Sequence, residues 1–337
     1  MQRHYKKRFL ALLTLIILGV LAVWFLVISV PIKPAKILGV TFVPEVAENF
    51  GLDPQKVYMA IFDNLGVRNV RIAAYWDKIE SKRSQYHFDE LDWEVREAEK
   101  RGVKLILVVG KKVPRWPECH IPSWANLLSE EDQNQALLNY VTQVINRYKN
   151  SSAIDMWQVE NEPFLPFGEC VYSPGSVIDR EIALVRSLDS SRKILVTDSG
   201  EISTWLRAAR RGDIFGTTMY RRVVNKYFGY IDYHLPPFFF RLKRALVELV
   251  VGKKPMMVVE LQGEPWLNKP VELATIEEQY RSMDPAYFNN TLEYASRTGF
   301  DTFYLWGVEW WYWLKEQGRP EIWDTMKEKI GNLNHEN

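Results

Sequence analysis

Eight times along the chain a short apolar or β-branched run is followed by a stretch of helical periodicity. Strands that alternate with helices in this way build a parallel sheet covered by its crossover helices. The runs are Ile37–Phe42, Val70–Ala74, Lys104–Val109, Ile154–Val159, Lys193–Thr197, Ile214–Met219, Met256–Leu261 and Thr302–Trp306. Helices are expected around Pro54–Leu65, Leu91–Arg101, Glu131–Tyr148, Val177–Leu188, Ser203–Arg210, Phe239–Val251, Ile276–Arg297 and Glu321–Ile330. Eight such units are the count of the α/β (β/α)8 TIM barrel, which needs about 250 residues. An open doubly wound sheet would require a glycine-rich phosphate loop after the first strand. The residues there are Gly39-Val40-Thr41-Phe42-Val43-Pro44, which form no such loop, and the sequence has no Walker motif.

Ahead of the barrel, Arg3, Lys6, Lys7 and Arg8 precede an uncharged apolar run from Phe9 to Val30. That run matches the ~20 residues a membrane-crossing helix needs, and the flanking cations favour a cytoplasmic N-terminus. The expected layout is a basic stub at 1–8, a single transmembrane signal-anchor at 9–30, a linker at 31–36 and the barrel at 37–337. The barrel would then lie outside the cytoplasm, at the cell surface or on the periplasmic side. In such a compartment paired thiols oxidise. The two cysteines, Cys119 and Cys170, fall in loops of the same barrel face, which predicts a disulfide between them. No Cys/His cluster has zinc-ligand spacing, which argues against a structural zinc site, and no metal or organic cofactor is expected. A net charge of +1 lacks the basic excess that nucleic-acid binding uses. The 13 Trp, 16 Tyr and 16 Phe suit the flat C–H faces and hydroxyl edges of sugars, and a monomer is expected. Asn150 and Asn289 sit in glycosylation-type triplets, which matter only in a eukaryotic secretory pathway.

In a barrel the functional groups follow the C-terminal ends of the strands. Those positions hold Tyr75 and Trp76 after the second strand and Lys111, Lys112 and Trp116 after the third. Asn161 and Glu162 follow the fourth, Asp198 the fifth and Tyr220 the sixth. Glu260 and Gln262 close the seventh, with Trp306 and Glu309 at the eighth. Two glutamates stand out. Glu162 lies in Trp157-Gln158-Val159-Glu160-Asn161-Glu162-Pro163, and Glu260 ends the apolar run Met256-Met257-Val258-Val259. Hydrolysis of a glycosidic bond uses two such carboxyls, one to protonate the leaving oxygen and one to attack or to activate water. Ideal alternation puts Glu160 on the same side as Glu162, so strand parity alone does not choose between them.

Asn161-Glu162-Pro163 after a fourth strand, with Glu260 after a seventh, resembles the clan A glycoside hydrolases, glycoside hydrolase family 5 and its relatives among them. The resemblance runs from about Ile37 to Asn332. It implies a retaining glycosidase with Glu162 as acid/base and Glu260 as nucleophile. It further implies that Arg71 and Tyr220 hold the nucleophile, that Asn161 binds the sugar 2-hydroxyl and that Trp306 is the platform under the reacting sugar. Trp76, Gln262, Glu264 and Trp266 join these as candidate substrate contacts. Gly110-Lys111 and Thr218 stand where family 5 enzymes often carry histidines, and Glu160 stands where the clan commonly has an aromatic residue. These departures bear on which sugar is bound. Lys111 and Lys112 suit either an anionic sugar or a solvated loop. Two other functions use the same scaffold. A transglycosylase remodelling surface polysaccharide would share both glutamates, and a non-catalytic carbohydrate-binding barrel would need neither.

Overall fold

The computed structural model describes residues 7–19, 34–170, 174–225, 227 and 229–336, without the side chains of 334–336. Residues 7–19 are helical and exposed. The remainder of the expected anchor, 20–30, and linker residues 31–33 lie outside the described residues. Among the described residues no helix is long and apolar enough to cross a membrane, so the transmembrane helix expected from the sequence is not supported.

The barrel strands are β1 (Ile37–Thr41), β2 (Asn69–Ala73), β3 (Lys104–Val109), β4 (Ile154–Val159), β5 (Lys193–Asp198), β6 (Ile214–Met219), β7 (Met256–Gln262) and β8 (Thr302–Trp306). They form one closed sheet in sequential order, β1 pairing with both β2 and β8. All eight pairings are parallel. The strands are short because each is buried on both faces and must end where the chain meets water. Inside, Ile106, Met156, Leu195, Ile214, Met257, Val259 and Tyr304 form a self-contained cluster. Gly39 leaves room there for the Tyr304 ring, which a Cβ on Gly39 would approach to 2.7 Å. A larger core fills the space between sheet and helices, with Trp76, Trp157, Trp205, Trp310, Trp311 and Trp323 fully buried.

The layer around the sheet differs from the sequence reading in several places. The span Ile276–Arg297 is two helices, Ile276–Ser282 and Pro285–Ser296. Pro285 cannot continue a helix but starts one well, and Asp284 caps the second through Tyr287 N. The tryptophan-rich stretch after β8 is a helix, Val308–Glu316. After β6 a small antiparallel ribbon, Arg222–Asn225 with Gly229–Asp232, leads into the helix Pro237–Val250.

Candidate active site

The seventh strand is not regular. Val258 pairs with Thr217 and Glu260 with Thr218, so β7 carries one extra residue relative to β6. The same excess appears against β8, where Val258 pairs with Phe303 and Leu261 with Leu305. This is a β-bulge. Val259 already faces the barrel interior, and regular alternation would turn Glu260 outward. The bulge brings Glu260 inward as well. Its Oε1 accepts from Arg71 Nη1 at 2.7 Å and its Oε2 from Tyr220 OH at 3.0 Å.

Arg71 is fully buried and spends its whole fork. Besides Glu260, its Nε donates to Gln158 Oε1 and its Nη2 to Asn161 Oδ1, both at 2.8 Å. One guanidinium thus fixes the end of β4 against the end of β7. The Tyr220 phenol is held well above its ordinary value by burial and by the Glu260 charge beside it, so it stays a donor.

Beyond β4 the backbone enters the left-handed region twice, at Glu160 (φ 58°) and Glu162 (φ 44°). Such conformations cost a non-glycine residue of order 1–3 kcal/mol each and persist where surrounding contacts demand them. They separate the two glutamates that strand parity leaves equivalent. Glu160 turns away from the cavity and accepts from Lys111 N at 2.9 Å and Lys112 N at 2.6 Å. It packs so closely on Gly110 that a Cβ there would lie 2.5 Å from the Glu160 carboxyl carbon. Glu162 turns toward β5 and β6. Its amide donates to Thr197 Oγ1 at 2.9 Å, and its Oε1 accepts from Thr218 Oγ1 at 3.1 Å. Thr218 is the residue paired with Glu260 across β6 and β7, so the Glu162 carboxyl reaches the strand position beside Glu260. Burial pushes Glu162 well above the usual carboxylate range, and the charges of Glu260 and Glu118 add to the effect.

Glu118 is a third acid in this cluster that the sequence reading did not single out. It sits in the β3 loop beside Cys119, and its Oε2 accepts from Asn161 Nδ2 at 3.2 Å. Burial raises it to about 7, with Glu260 contributing. The loop is tied to the β4 loop by a Cys119–Cys170 disulfide. Lys112, also buried, donates from Nζ to the carbonyls of Glu162 at 3.0 Å and Leu165 at 2.7 Å. Its charge is spent on shaping the β4 loop.

Trp306 lies against the cleft with its indole N–H on Glu264 Oε1 at 2.8 Å. Arg115, from the β3 loop, reaches the same oxygen at 2.6 Å and lies over the Trp306 ring, 5.5 Å from its centroid. Glu264 Oε2 is buried without a partner among the described residues. Gly307, at φ 104°, leaves the space Glu264 fills, since a Cβ there would come within 2.4 Å of the Glu264 Cβ. Trp266 stands edge-on to Tyr220 at 5.2 Å, with Phe167 6.0 Å away.

Two expected contacts are placed elsewhere. Trp76 is fully buried in the outer core, bonded to Glu80 and stacked on Tyr140 at 5.7 Å, out of reach of a substrate. Gln262 has its amide occupied by the backbone of Arg221 and Arg222 and holds the ribbon after β6 in place. Trp310 and Trp311 are likewise packing residues, bonded to Gln279 and Gly263.

The family model for glycosyl hydrolase family 10 matches residues 42–177, the part of the barrel that carries Arg71, Glu118, Asn161 and Glu162. The chain is similar to the clan A glycoside hydrolases. A probable mannan endo-1,4-β-mannosidase A-1 of Aspergillus terreus is 29% identical over 124 residues, 33% of this chain and 30% of that one. An exo-β-1,4-mannosidase from Opitutaceae bacterium strain TAV5 superposes with a TM-score of 0.60 at 14% identity, covering 88% of this chain and 59% of its own. A β-galactosidase from Halorubrum lacusprofundi gives 0.59 at 14% identity, covering 88% and 58%. The chain therefore spans under a third of that curated relative and less than two thirds of either structure. At this identity the two structures speak for the fold. The family match and the mannosidase relative support glycosidase chemistry.

Proposed function

We propose that the protein is a retaining glycosidase acting on β-linked hexosides by double displacement. One observation carries this reading. Glu260 is held by Arg71 and Tyr220, while Glu162, hydrogen-bonded to the Thr218 that pairs with Glu260, is pushed toward its protonated form by burial. An acid and a nucleophile are thereby distinguished by their surroundings. In the first step a Glu260 oxygen attacks the anomeric carbon, the glycosidic C–O bond breaks and the Glu162 proton passes to the leaving oxygen. In the second, water attacks the same carbon, gives its proton to Glu162 and releases Glu260. Trp306 supplies the apolar floor and Asn161 the contact to the 2-hydroxyl. The names of the relatives make β-mannosides and β-galactosides the first substrates to try.

The test is a panel of aryl β-glycosides and β-mannan oligosaccharides, with the anomer of the first product read by NMR. Wild-type turnover with retention is expected. Glu260→Gln should lose at least about a thousandfold in rate. An inverted product, or a Glu260→Gln variant as fast as wild type, refutes the assignment. Oligosaccharide acceptors in the same assay measure the transglycosylase alternative.

We further propose that the barrel works outside the cytoplasm, held by the apolar run Phe9–Val30. The basic residues before that run and the Cys119–Cys170 disulfide support this. Alkylation of intact cells, with and without prior reduction, tests it. A free Cys119 thiol in untreated cells would count against it.

A further inference from the structure

The helix Pro237–Val250 is apolar on two faces. Phe240, Lys243 and Val247 point into the fold, and Lys243 spends its ammonium on the Gly200 carbonyl and the Trp205 ring. On the outer face Leu242, Leu246, Leu249 and Val250 are 56%, 41%, 83% and 44% exposed. Their spacing, i, i+4, i+7 and i+8, is one stripe of an α-helix. Four large aliphatic side chains aligned toward solvent are a surface without a partner among the described residues, in contrast to the scattered exposed leucines of any protein.

The position of the stripe indicates what covers it. Arg241 Nε donates to the carbonyl of Arg297 at 2.9 Å, and Arg244 Nη1 to that of Gly299 at 3.1 Å. Two residues on, the carbonyl of Asp301 accepts from the amides of Lys36 and Ile37 at 2.7 and 3.1 Å. The segment 297–301 therefore joins the helix to the point where the chain enters β1. Six residues separate Val30 from Ile37, a reach of about 20 Å when fully extended. A barrel carried on that tether keeps this edge at the membrane surface. Arg241 and the exposed Lys253 lie along the same helix and its end, with Arg244 paired to Glu248 Oε1 at 2.9 Å, a net positive composition that suits anionic headgroups. Between two copies of this face those cations would repel.

We propose that this helix face rests on the lipid bilayer, with Leu242, Leu246, Leu249 and Val250 at the level of the headgroups. This rests on the reading of Phe9–Val30 as a membrane anchor and is independent of the catalytic assignment. The disulfide leaves no free thiol, so Leu249→Cys in the full chain accepts a single environment-sensitive fluorophore. Gln135→Cys, exposed on the helix Glu130–Tyr148, is the reference. In vesicles of phosphatidylcholine and phosphatidylglycerol, the label at 249 should shift to the blue. It should also be quenched several-fold more than the label at 135 by lipids spin-labelled near the headgroup. A chain that floats with the vesicles but shows equal quenching at both sites overturns this proposal and leaves the anchor standing. A chain that does not float overturns both. A concentration-dependent shift in detergent without lipid assigns the face to a second copy, and a blue emission insensitive to lipid quenchers assigns it to the N-terminal segment. Either result overturns the proposal.

Discussion

Glu118 enters the acid cluster from a loop and alters the working of its neighbours through charge. Burial first, and then Glu260 and Glu118, keep the proton on Glu162. Glu118 is itself raised to about 7, so above that pH Glu118→Gln removes one of those two charges, and the Glu162 proton should be lost at lower pH. The basic limb of the pH–rate profile is expected to move toward acid, with a smaller effect on the maximum rate, and the kcat/KM profile reads the shift directly. Tyr220→Phe removes a donor to Glu260, the proposed nucleophile, an interaction with a charged group of about 1.5–3 kcal/mol. A loss of roughly ten- to a hundredfold in kcat/KM is expected. At this scale the sequence was legible where a residue ends a strand. Glu162, Tyr220 and Glu260 lie at or just past strand ends and Arg71 lies within β2, and their neighbours on adjacent strands are set by the barrel itself. Glu118 and Arg115 were not legible because a loop's path is decided by the cross-link and packing that pin it. Glu160 and Glu162 were inseparable because the left-handed turns that part them leave no mark on the pattern of apolar residues.

Elements were legible in proportion to their burial. The strands read correctly to within a residue or so because each is an apolar run with polar ends. Trp76 was misplaced because the chain turns straight into the short helix Trp76–Ile79, which carries that side chain into the outer core. The ribbon Arg222–Asn225 with Gly229–Asp232 was missed because it is short and lies at the surface, with no apolar alternation to announce it. The bulge in β7 was also invisible, and it has a mechanical consequence. Deleting Val259 removes the extra residue, so Glu260 should follow Val258 inward by ordinary alternation while the interior cluster loses the Val259 side chain. Folded protein of reduced stability that keeps measurable turnover is the expected result, checked by circular dichroism and the glycoside assay. The disulfide closes a loop between residues 51 apart in sequence. The double variant Cys119→Ser/Cys170→Ser should lose about 2–4 kcal/mol of stability, measured by denaturant titration. Activity should fall with it, since Glu118 adjoins the bond.

For the molecule as a whole, the buried acids set a pH dependence of stability. Burial raises Glu118 and Glu201 to about 7 and Glu309 to about 8, from 4.5 in the unfolded chain. The folded state then holds protons that the unfolded state releases. The stabilisation is complete below about 4.5 and is lost as pH rises through 7 to 8, by up to about 1.4 kcal/mol per pH unit for each group. The melting temperature should therefore decline between pH 5 and pH 8, and Glu309→Gln should flatten the decline. A melting temperature that rises over this interval would contradict the protonated state of these acids. The (β/α)8 architecture was readable from the count of alternating elements alone, whereas the protonation states depend on the depth at which each acid comes to rest. One further property follows from the pairing of β1 with β8, reinforced where Glu309 Oε1 accepts from Val43 N at 2.6 Å. The first strand to leave the ribosome has one neighbour it cannot meet until nearly the last has been made. Until then a bare sheet edge stays open to other nascent chains, and yield on refolding should drop steeply with protein concentration.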